Sequence, residues 1–139
     1  ESGLSVWIGE QMSGLAGTPP MVLTGVVVTM MSFLTELTSN IASTNVILPI
    51  LADIAVSIRV NPLLLMIPAT LSASCAFMMP VATPPNAIIF GSGRIRIAEM
   101  ARVGLALNLI GVLVISLLFF FLGSAVFAID TAVLPVWAE

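Results

Sequence analysis

The stretch that decides the fold is Met79-Pro80-Val81-Ala82-Thr83-Pro84-Pro85-Asn86. It lies within residues 60–93, a segment that contains no charged side chain. Such a segment can span a bilayer, since a membrane helix needs about 20 apolar residues. The prolines cannot sit inside one continuous helix, because each removes a backbone donor and clashes with the preceding turn. The sequence therefore predicts a membrane helix that is broken over residues 79–85, near the bilayer midplane.

A break at that depth indicates a polar site. Non-helical backbone within the membrane survives only where it is buried in protein or lines a polar cavity. Secondary transporters place their ions and substrates at helix breaks of this kind. The break is therefore the first candidate for a binding region.

Composition places the chain in the membrane and excludes several kinds of site. Of its 139 residues, 59% are hydrophobic and 8% are charged, whereas a soluble domain carries roughly 25% charge. The chain contains no histidine and no lysine, which excludes a histidine triad, a histidine zinc site and a histidine proton relay within it. Cys75 is its only cysteine, so no intrachain disulfide is possible. The net charge of −3 without a basic patch argues against nucleic acid.

Two apolar limbs precede the broken helix. They cover residues 21 to about 37 and about 42 to 58, and each is roughly 25 Å long as a helix. They form either two short spans with an exposed turn, or a re-entrant hairpin over 19–59 whose tip at 38–41 stops inside the membrane. The tip carries hydroxyl and amide side chains without lysine or arginine. This favours the re-entrant hairpin.

The remaining segments complete an all-α integral membrane fold: a re-entrant hairpin, a proline-broken transmembrane helix over 60–93 and a final transmembrane helix over 103–129. Residues 1–18 are expected to form an interfacial helix or loop, and 130–139 an outer tail. Three of the four arginines lie in 94–102, so this loop is predicted to be cytoplasmic and the C-terminus outside. The chain begins without an initiator methionine, and we expect it to be part of a longer protein of the plasma or bacterial inner membrane.

This arrangement brings four helix ends to the midplane. Helix N-termini carry partial positive charge and free N–H groups that attract anions, while C-terminal carbonyls suit a cation. No lysine or arginine lies near the tip or the break in the sequence. The pattern indicates an anion bound beside a cation such as sodium.

The polar residues of the tip and the break are the candidate ligands. Ser39, Asn40 and Thr83 either bind a carboxylate or a cation, or only cap helix termini, which these residue types also favour. Thr35 and Thr38 are expected to bond back to carbonyls of the preceding turn.

Acidic residues within the membrane are expected to be functional by default. Glu36 lies beside the predicted tip, and we assign it a supporting role at the site. Asp53 and Asn45 are interpreted as structural. An enzyme is the weakest interpretation, because no nucleophile and base pair is evident.

Two motifs resemble one known family. Phe33-Leu34-Thr35-Glu36-Leu37-Thr38-Ser39-Asn40 and Pro80-Val81-Ala82-Thr83-Pro84-Pro85-Asn86-Ala87-Ile88 resemble the divalent-anion/sodium symporters, which include sodium-coupled di- and tricarboxylate transporters. The opening Glu1-Ser2-Gly3-Leu4-Ser5-Val6-Trp7 is also similar to their late region. The resemblance implies the end of the second of two inverted repeats, in a homodimer that works by alternating access. The first repeat and its own site would lie in a missing N-terminal part.

The resemblance also implies roles for single residues. The positions that match substrate contacts are Ser39, Asn40, Thr83 and Pro84. Those that match the second sodium site, partly through backbone carbonyls, are Thr35, Thr38, Asn40 and Ala82. Position 41 is Ile where the family signature has Thr, which leaves the choice between a C4-dicarboxylate such as succinate and a tricarboxylate such as citrate open. Two alternatives remain: a sodium-independent anion exchanger of the same superfamily, and a structural membrane fragment that transports nothing.

Overall fold

The computed structural model describes residues 17–127, 129 and 135, and these contain helices and turns but no strand. Most of the interfacial segment predicted over 1–18 and most of the outer tail predicted over 130–139 lie outside the described residues. Five helices follow one another: α1 (Pro20–Leu34), α2 (Asn40–Ser57), α3 (Leu63–Ala73), α4 (Pro84–Gly91) and α5 (Ile97–Leu118). A π-helical turn, Phe119–Gly123, and a last helical turn, Ser124–Val126, continue α5.

Helices α1 and α2 are connected by a turn between Leu34 and Asn40, where the sequence places the tip of the predicted hairpin. The first limb ends earlier than the sequence predicted, at Leu34. The second limb begins earlier, at Asn40, where the Ser39 hydroxyl caps it by accepting from the Ala42 N–H at 3.5 Å. Helix α1 begins at Pro20, with Pro19 in the N-cap position and no side-chain cap bond.

Helix α3 packs against both limbs of the hairpin, and α5 packs against α1 and α3. The core among α1, α2 and α3 is made of apolar side chains, namely Leu23, Val27, Met31, Leu51, Ala55, Leu65, Ala69 and Ala73. The Thr24 hydroxyl donates to the Leu64 carbonyl at 3.4 Å and adds a polar contact between α1 and α3. The tip follows α1 and the break follows α3, so both segments extend from helices that pack against each other.

The broken helix has a longer break than the prolines predicted. Helix α3 ends at Ala73 and α4 begins at Pro84, so the backbone leaves the helix well before Pro80. At the other end of α3, the Asn61 side chain accepts from the Leu63 N–H at 3.0 Å, and Pro62 occupies the N-cap position.

The last helix begins at Ile97, inside the segment predicted to be a charged loop. Its start is fixed by Glu99, whose carboxylate accepts from the Arg96 N–H at 3.0 Å. It is not uniformly α-helical, since the π-helical turn follows Leu118. Phe119 in that turn is buried and packs with Leu64 and Ile129.

Two helices in the described part of the chain are long and apolar enough to cross a membrane: Asn40–Ser57 and Ile97–Gly123. Helices α1 and α3 are apolar but shorter.

Candidate functional site

The tip of the hairpin and the break face each other across a cavity of about 750 Å³. Its lining comes from residues 37–41 and 81–86, with Ser74, Ala76 and Phe77 between them. All four predicted substrate contacts line it, together with three of the four predicted sodium positions: Ser39, Asn40, Thr83, Pro84, Thr38 and Ala82. The fold therefore brings together residues from two motifs that lie far apart in the sequence.

Asn40 is the most informative residue of this lining. It is the first residue of α2, and its side-chain oxygen Oδ1 is buried without a hydrogen-bond partner among the described residues. Leaving a buried acceptor unpaired costs about 1–3 kcal/mol. This oxygen is therefore suited to a ligand that donates a hydrogen bond or to a cation, for which a neutral carbonyl oxygen is a good ligand.

The neighbouring hydroxyls are held by the hairpin itself. The Thr38 hydroxyl donates to the Leu34 carbonyl at 2.8 Å and contacts the Ser43 hydroxyl at 2.5 Å. Ser39 caps α2, as the alternative to ligand binding predicted. A hydroxyl oxygen has two lone pairs, so neither bond prevents it from accepting a further contact.

Thr35 differs from the other predicted sodium positions. Its side chain is fully buried, and it is not part of the cavity lining. Its hydroxyl bonds to the carbonyls of Met31 at 3.0 Å and Ser32 at 3.1 Å, as predicted for a hydroxyl in a membrane helix. The side chain of Thr35 thus stabilises the end of α1, and only its backbone remains for a ligand.

The start of α4 contributes fewer N–H donors than we expected for a helix N-terminus. Pro84 and Pro85 have no N–H. The next two amides are bonded to Thr83: the Asn86 N–H to its hydroxyl at 3.4 Å and the Ala87 N–H to its carbonyl at 3.1 Å. The free donors lie instead at the start of α2, where the N–H groups of Asn40 and Ile41 have no partner among the described residues.

Glu36 holds the backbone of the break. Its side chain is only 3% exposed. One carboxylate oxygen accepts from the N–H groups of Phe77 at 2.7 Å and Met78 at 2.9 Å, and the other accepts from Met79 at 2.9 Å. The carboxylate thus accepts from three successive backbone amides in the non-helical segment of the break, where no helical acceptor is available.

Two other side chains, those of Asn86 and Ser32, donate hydrogen bonds to backbone carbonyls of the break. The Asn86 amide donates to the Ala76 carbonyl at 2.9 Å and the Met79 carbonyl at 3.0 Å. The Ser32 hydroxyl donates to the Cys75 carbonyl at 3.0 Å. The shape of the break is therefore set by side chains from α1 and α4 as well as by its prolines.

A glycine on α5 allows this segment to pack closely. A Cβ atom on Gly104 would lie 2.3 Å from the Phe77 carbonyl oxygen and 2.5 Å from the Met78 Cα. Both atoms belong to the backbone and cannot move aside without shifting the break. Only glycine fits at this contact.

Gly104→Ala is expected to destabilise the protein by about 1–3 kcal/mol, the usual cost of overpacking. The measurement is the thermal unfolding of the purified protein. Gly111→Ala is the matched control on the same helix, because a Cβ there would make an ordinary contact with Cys75 at 3.7 Å. A Gly104→Ala protein as stable as Gly111→Ala would show that α5 does not pack against the break in this way.

Sequence reasoning missed two contributors to this site, Asn108 and Gly104. Asn108 is fully buried, and its amide donates to the Glu36 carboxylate at 2.6 Å. A signal for it existed, since it is the only amide side chain in the apolar stretch 103–129 and polar groups within membrane helices face the protein interior. The role of Gly104 had no comparable signal, because small residues are frequent in membrane helices.

Comparisons with known proteins agree with the resemblance. Residues 1–129 match the model of the sodium:sulfate symporter transmembrane region. The chain is 50% identical over 137 residues to the sodium-dependent dicarboxylate transporter SdcS of Staphylococcus saprophyticus, covering 98% of the chain and 26% of that protein. It is 45% identical over 139 residues to the human Na(+)/dicarboxylate cotransporter 3, covering 100% of the chain and 23% of that protein.

The mouse solute carrier family 13 member 2 is 46% identical over 138 residues, covering 99% of the chain and 23% of that protein. The chain thus spans about a quarter of the length of these relatives. They are named as transporters, which confirms the prediction that this is not an enzyme. With its helical membrane architecture, the chain belongs to the sodium:sulfate symporter family, the divalent-anion/sodium symporters whose motifs its hairpin tip and helix break resemble.

Proposed function

We propose that the chain is part of a secondary active transporter that symports sodium with a di- or tricarboxylate by alternating access. The observation that carries the proposal is the cavity between the predicted tip and the break, which is lined by Asn40, a residue whose side-chain oxygen has no hydrogen-bond partner in the described part of the chain. Its support from relatives is the identity of about one half to a sodium-dependent dicarboxylate transporter. The chain would supply one half of the site.

The charges around the cavity support coupling between the two ligands. No arginine or lysine is among the lining residues, and Arg59, Arg94, Arg96 and Arg102 are exposed outside it. A carboxylate there would meet the free N–H groups at the start of α2, the helix dipole and neutral hydroxyls, but no full positive charge from this chain. A bound sodium ion would supply that charge, so each ligand would raise the affinity for the other.

The proposed ligands divide between the two partners. A carboxylate would contact Ser39, Asn40, Thr83 and Pro84. Sodium would be held by oxygen atoms of Thr35, Thr38, Asn40 and Ala82. Because the Thr35 hydroxyl is already bonded within α1, its contribution would come from the backbone carbonyl.

The membrane topology is part of the proposal. Helix α1 has 15 residues and is about 22 Å long, short of the roughly 30 Å hydrocarbon core. This supports a re-entrant hairpin over 19–59 whose tip ends inside the membrane. Residues 94–102 would be cytoplasmic and the C-terminus outside. The other half of the site would come from a preceding repeat of a longer chain that forms a homodimer.

Residue 41 lies where it can influence the choice of substrate. Ile41 lines the cavity and is 74% exposed. An aliphatic side chain there offers no hydrogen bond to a third carboxylate. This supports succinate-like dicarboxylates as the first substrates to test.

Replacing sodium by choline is expected to abolish succinate uptake by the full-length transporter reconstituted in liposomes, because the substrate charge would lose its partner cation. The measurement is the initial rate of labelled succinate uptake at constant ionic strength. Citrate is tested in parallel. Equal rates in choline and sodium would identify a sodium-independent exchanger and contradict symport.

A further inference from the structure

We propose that Asn108 on α5 is a positioning residue of the binding site and that it acts through the Glu36 carboxylate. This inference rests on the proposed function, since the site that it positions is the proposed sodium and carboxylate site. Asn108 does not line the main cavity. Asn108 therefore acts on the bound ligands only through Glu36 and the backbone of the break.

The geometry shows a bridge of two hydrogen bonds. The Nδ2 of Asn108 donates to Glu36 Oε1 at 2.6 Å, and its Oδ1 accepts from the Phe77 N–H at 3.3 Å. Glu36 Oε1 also accepts from that same Phe77 N–H. One amide side chain thus contacts both the carboxylate of the hairpin tip and the backbone of the break, and it is completely buried.

The bridge explains how a flexible carboxylate is held in one orientation. A glutamate has three rotatable side-chain bonds, and its two oxygens must meet three successive N–H groups at 77–79. Asn108 fixes the rotation of the carboxylate by offering a donor to one oxygen only. Residues 77–79 are thereby held in place. The chain continues from them to Ala82 and Thr83, which line the cavity opposite the tip.

An asparagine at 108 also avoids a second charge. Among the described residues of α1, the tip, the break and α5, the acidic side chain that contacts Asn108 and the break is Glu36. The remaining titratable groups nearby in the chain point elsewhere: the Cys75 thiol contacts the Leu71 carbonyl at 3.8 Å, and Glu99 lies exposed and bonds the Arg96 N–H. A neutral donor at 108 stabilises the Glu36 carboxylate without adding a charge to the interior.

The test compares two variants in the full-length transporter with the wild type at each external pH. Asn108→Ala removes both hydrogen bonds and should lower sodium-dependent succinate uptake by on the order of 10-fold. Asn108→Asp keeps the shape but places a carboxylate against a carboxylate, and such pairs share one proton. The protonated aspartic acid would donate to Glu36 as asparagine does.

The Asn108→Asp variant should therefore transport like the wild type at an external pH low enough for the carboxyl groups at positions 108 and 36 to share a proton. Its uptake relative to the wild type should fall as the external pH rises. Because repulsion between two ionised carboxylates would also destabilise the fold, uptake is normalised at each pH to the amount of folded transporter, and a loss of uptake per folded protein then reports the positioning role. Ser116→Ala on the same helix is the matched control, because the Ser116 hydroxyl is buried and has no hydrogen-bond partner within the described residues. Uptake should remain unchanged in that variant.

The outcomes separate this inference from the proposed function. Normal uptake by Asn108→Ala, or Asn108→Asp as impaired as Asn108→Ala at every pH, would overturn the positioning role while leaving symport intact. If the wild type takes up no succinate, the proposed function fails, and amide hydrogen exchange of residues 77–79 decides the inference. Faster exchange in Asn108→Ala than in Ser116→Ala supports it, and equal exchange refutes it.

Discussion

Asn40→Ala is expected to lower sodium-dependent succinate uptake by the full-length transporter by on the order of 10- to 100-fold. Asn40 lines the cavity, and its side-chain oxygen is buried without a hydrogen-bond partner among the described residues, so it has lone pairs left for the proposed cation. A hydrogen bond or contact with a charged partner contributes about 1.5–3 kcal/mol, which corresponds to that loss. The measurement is the initial uptake rate, normalised to the amount of protein at the cell surface.

Asn45→Ala is the matched control, because Asn45 lies on the same helix, is exposed and does not line the main cavity. Its uptake should equal that of the wild type. On the other side of the cavity, Thr83→Ala should also reduce uptake. Since Thr83 also caps α4, Thr83→Ser is included to retain the cap and the hydroxyl. Wild-type rates in both Asn40→Ala and Thr83→Ala would contradict the site assignment.

Glu36→Ala is expected to have the largest effect on stability. It leaves the N–H groups of Phe77, Met78 and Met79 without the carboxylate that accepts from them. The Phe77 N–H keeps Asn108 Oδ1 as an acceptor, whereas the Met78 and Met79 N–H groups and the Asn108 Nδ2 have no other acceptor among the described residues. Each such unpaired group costs about 1–3 kcal/mol, so the total loss should be at least about 3 kcal/mol. The measurement is the thermal unfolding of the purified transporter, with surface expression as a second readout.

Glu36→Gln is a milder variant that should fold, since its side-chain oxygen still accepts while its amide faces an N–H group. It should lose most uptake because the break is no longer held by two acceptor oxygens. Asp53→Asn, on exposed α2 surface, removes a negative charge elsewhere and should change neither stability nor uptake. A Glu36→Ala protein as stable as Asp53→Asn would mean that the carboxylate does not hold the break.

The existence of the break and of the turn before α2 could be predicted from local sequence. Prolines at 80, 84 and 85 exclude a continuous helix whatever surrounds them. Ser39 before a long apolar run is a local capping signal, and α2 does begin after it. These features depend on neighbouring residues and do not require knowledge of the tertiary fold.

The extent of the break could not be predicted, because distant side chains determine it. Glu36 and Asn108 accept from the Phe77 N–H although they lie 41 and 31 positions away in the sequence. No residue type within 74–79 indicates that the backbone amides of this segment donate to a carboxylate. The early start of α5 could have been predicted. Arg96 and Glu99 have the spacing at which a third-position glutamate caps a helix start, but the cluster of charges favoured a loop.

The central claim is that the hairpin tip and the break together form half of a site for a carboxylate beside a sodium ion. Equilibrium binding of labelled succinate to the purified full-length transporter, with and without sodium, tests it most directly when the wild type is compared with Asn40→Ala. We predict that the wild type binds succinate only with sodium and that Asn40→Ala loses this binding. Sodium-dependent binding of equal affinity in both proteins would contradict the account.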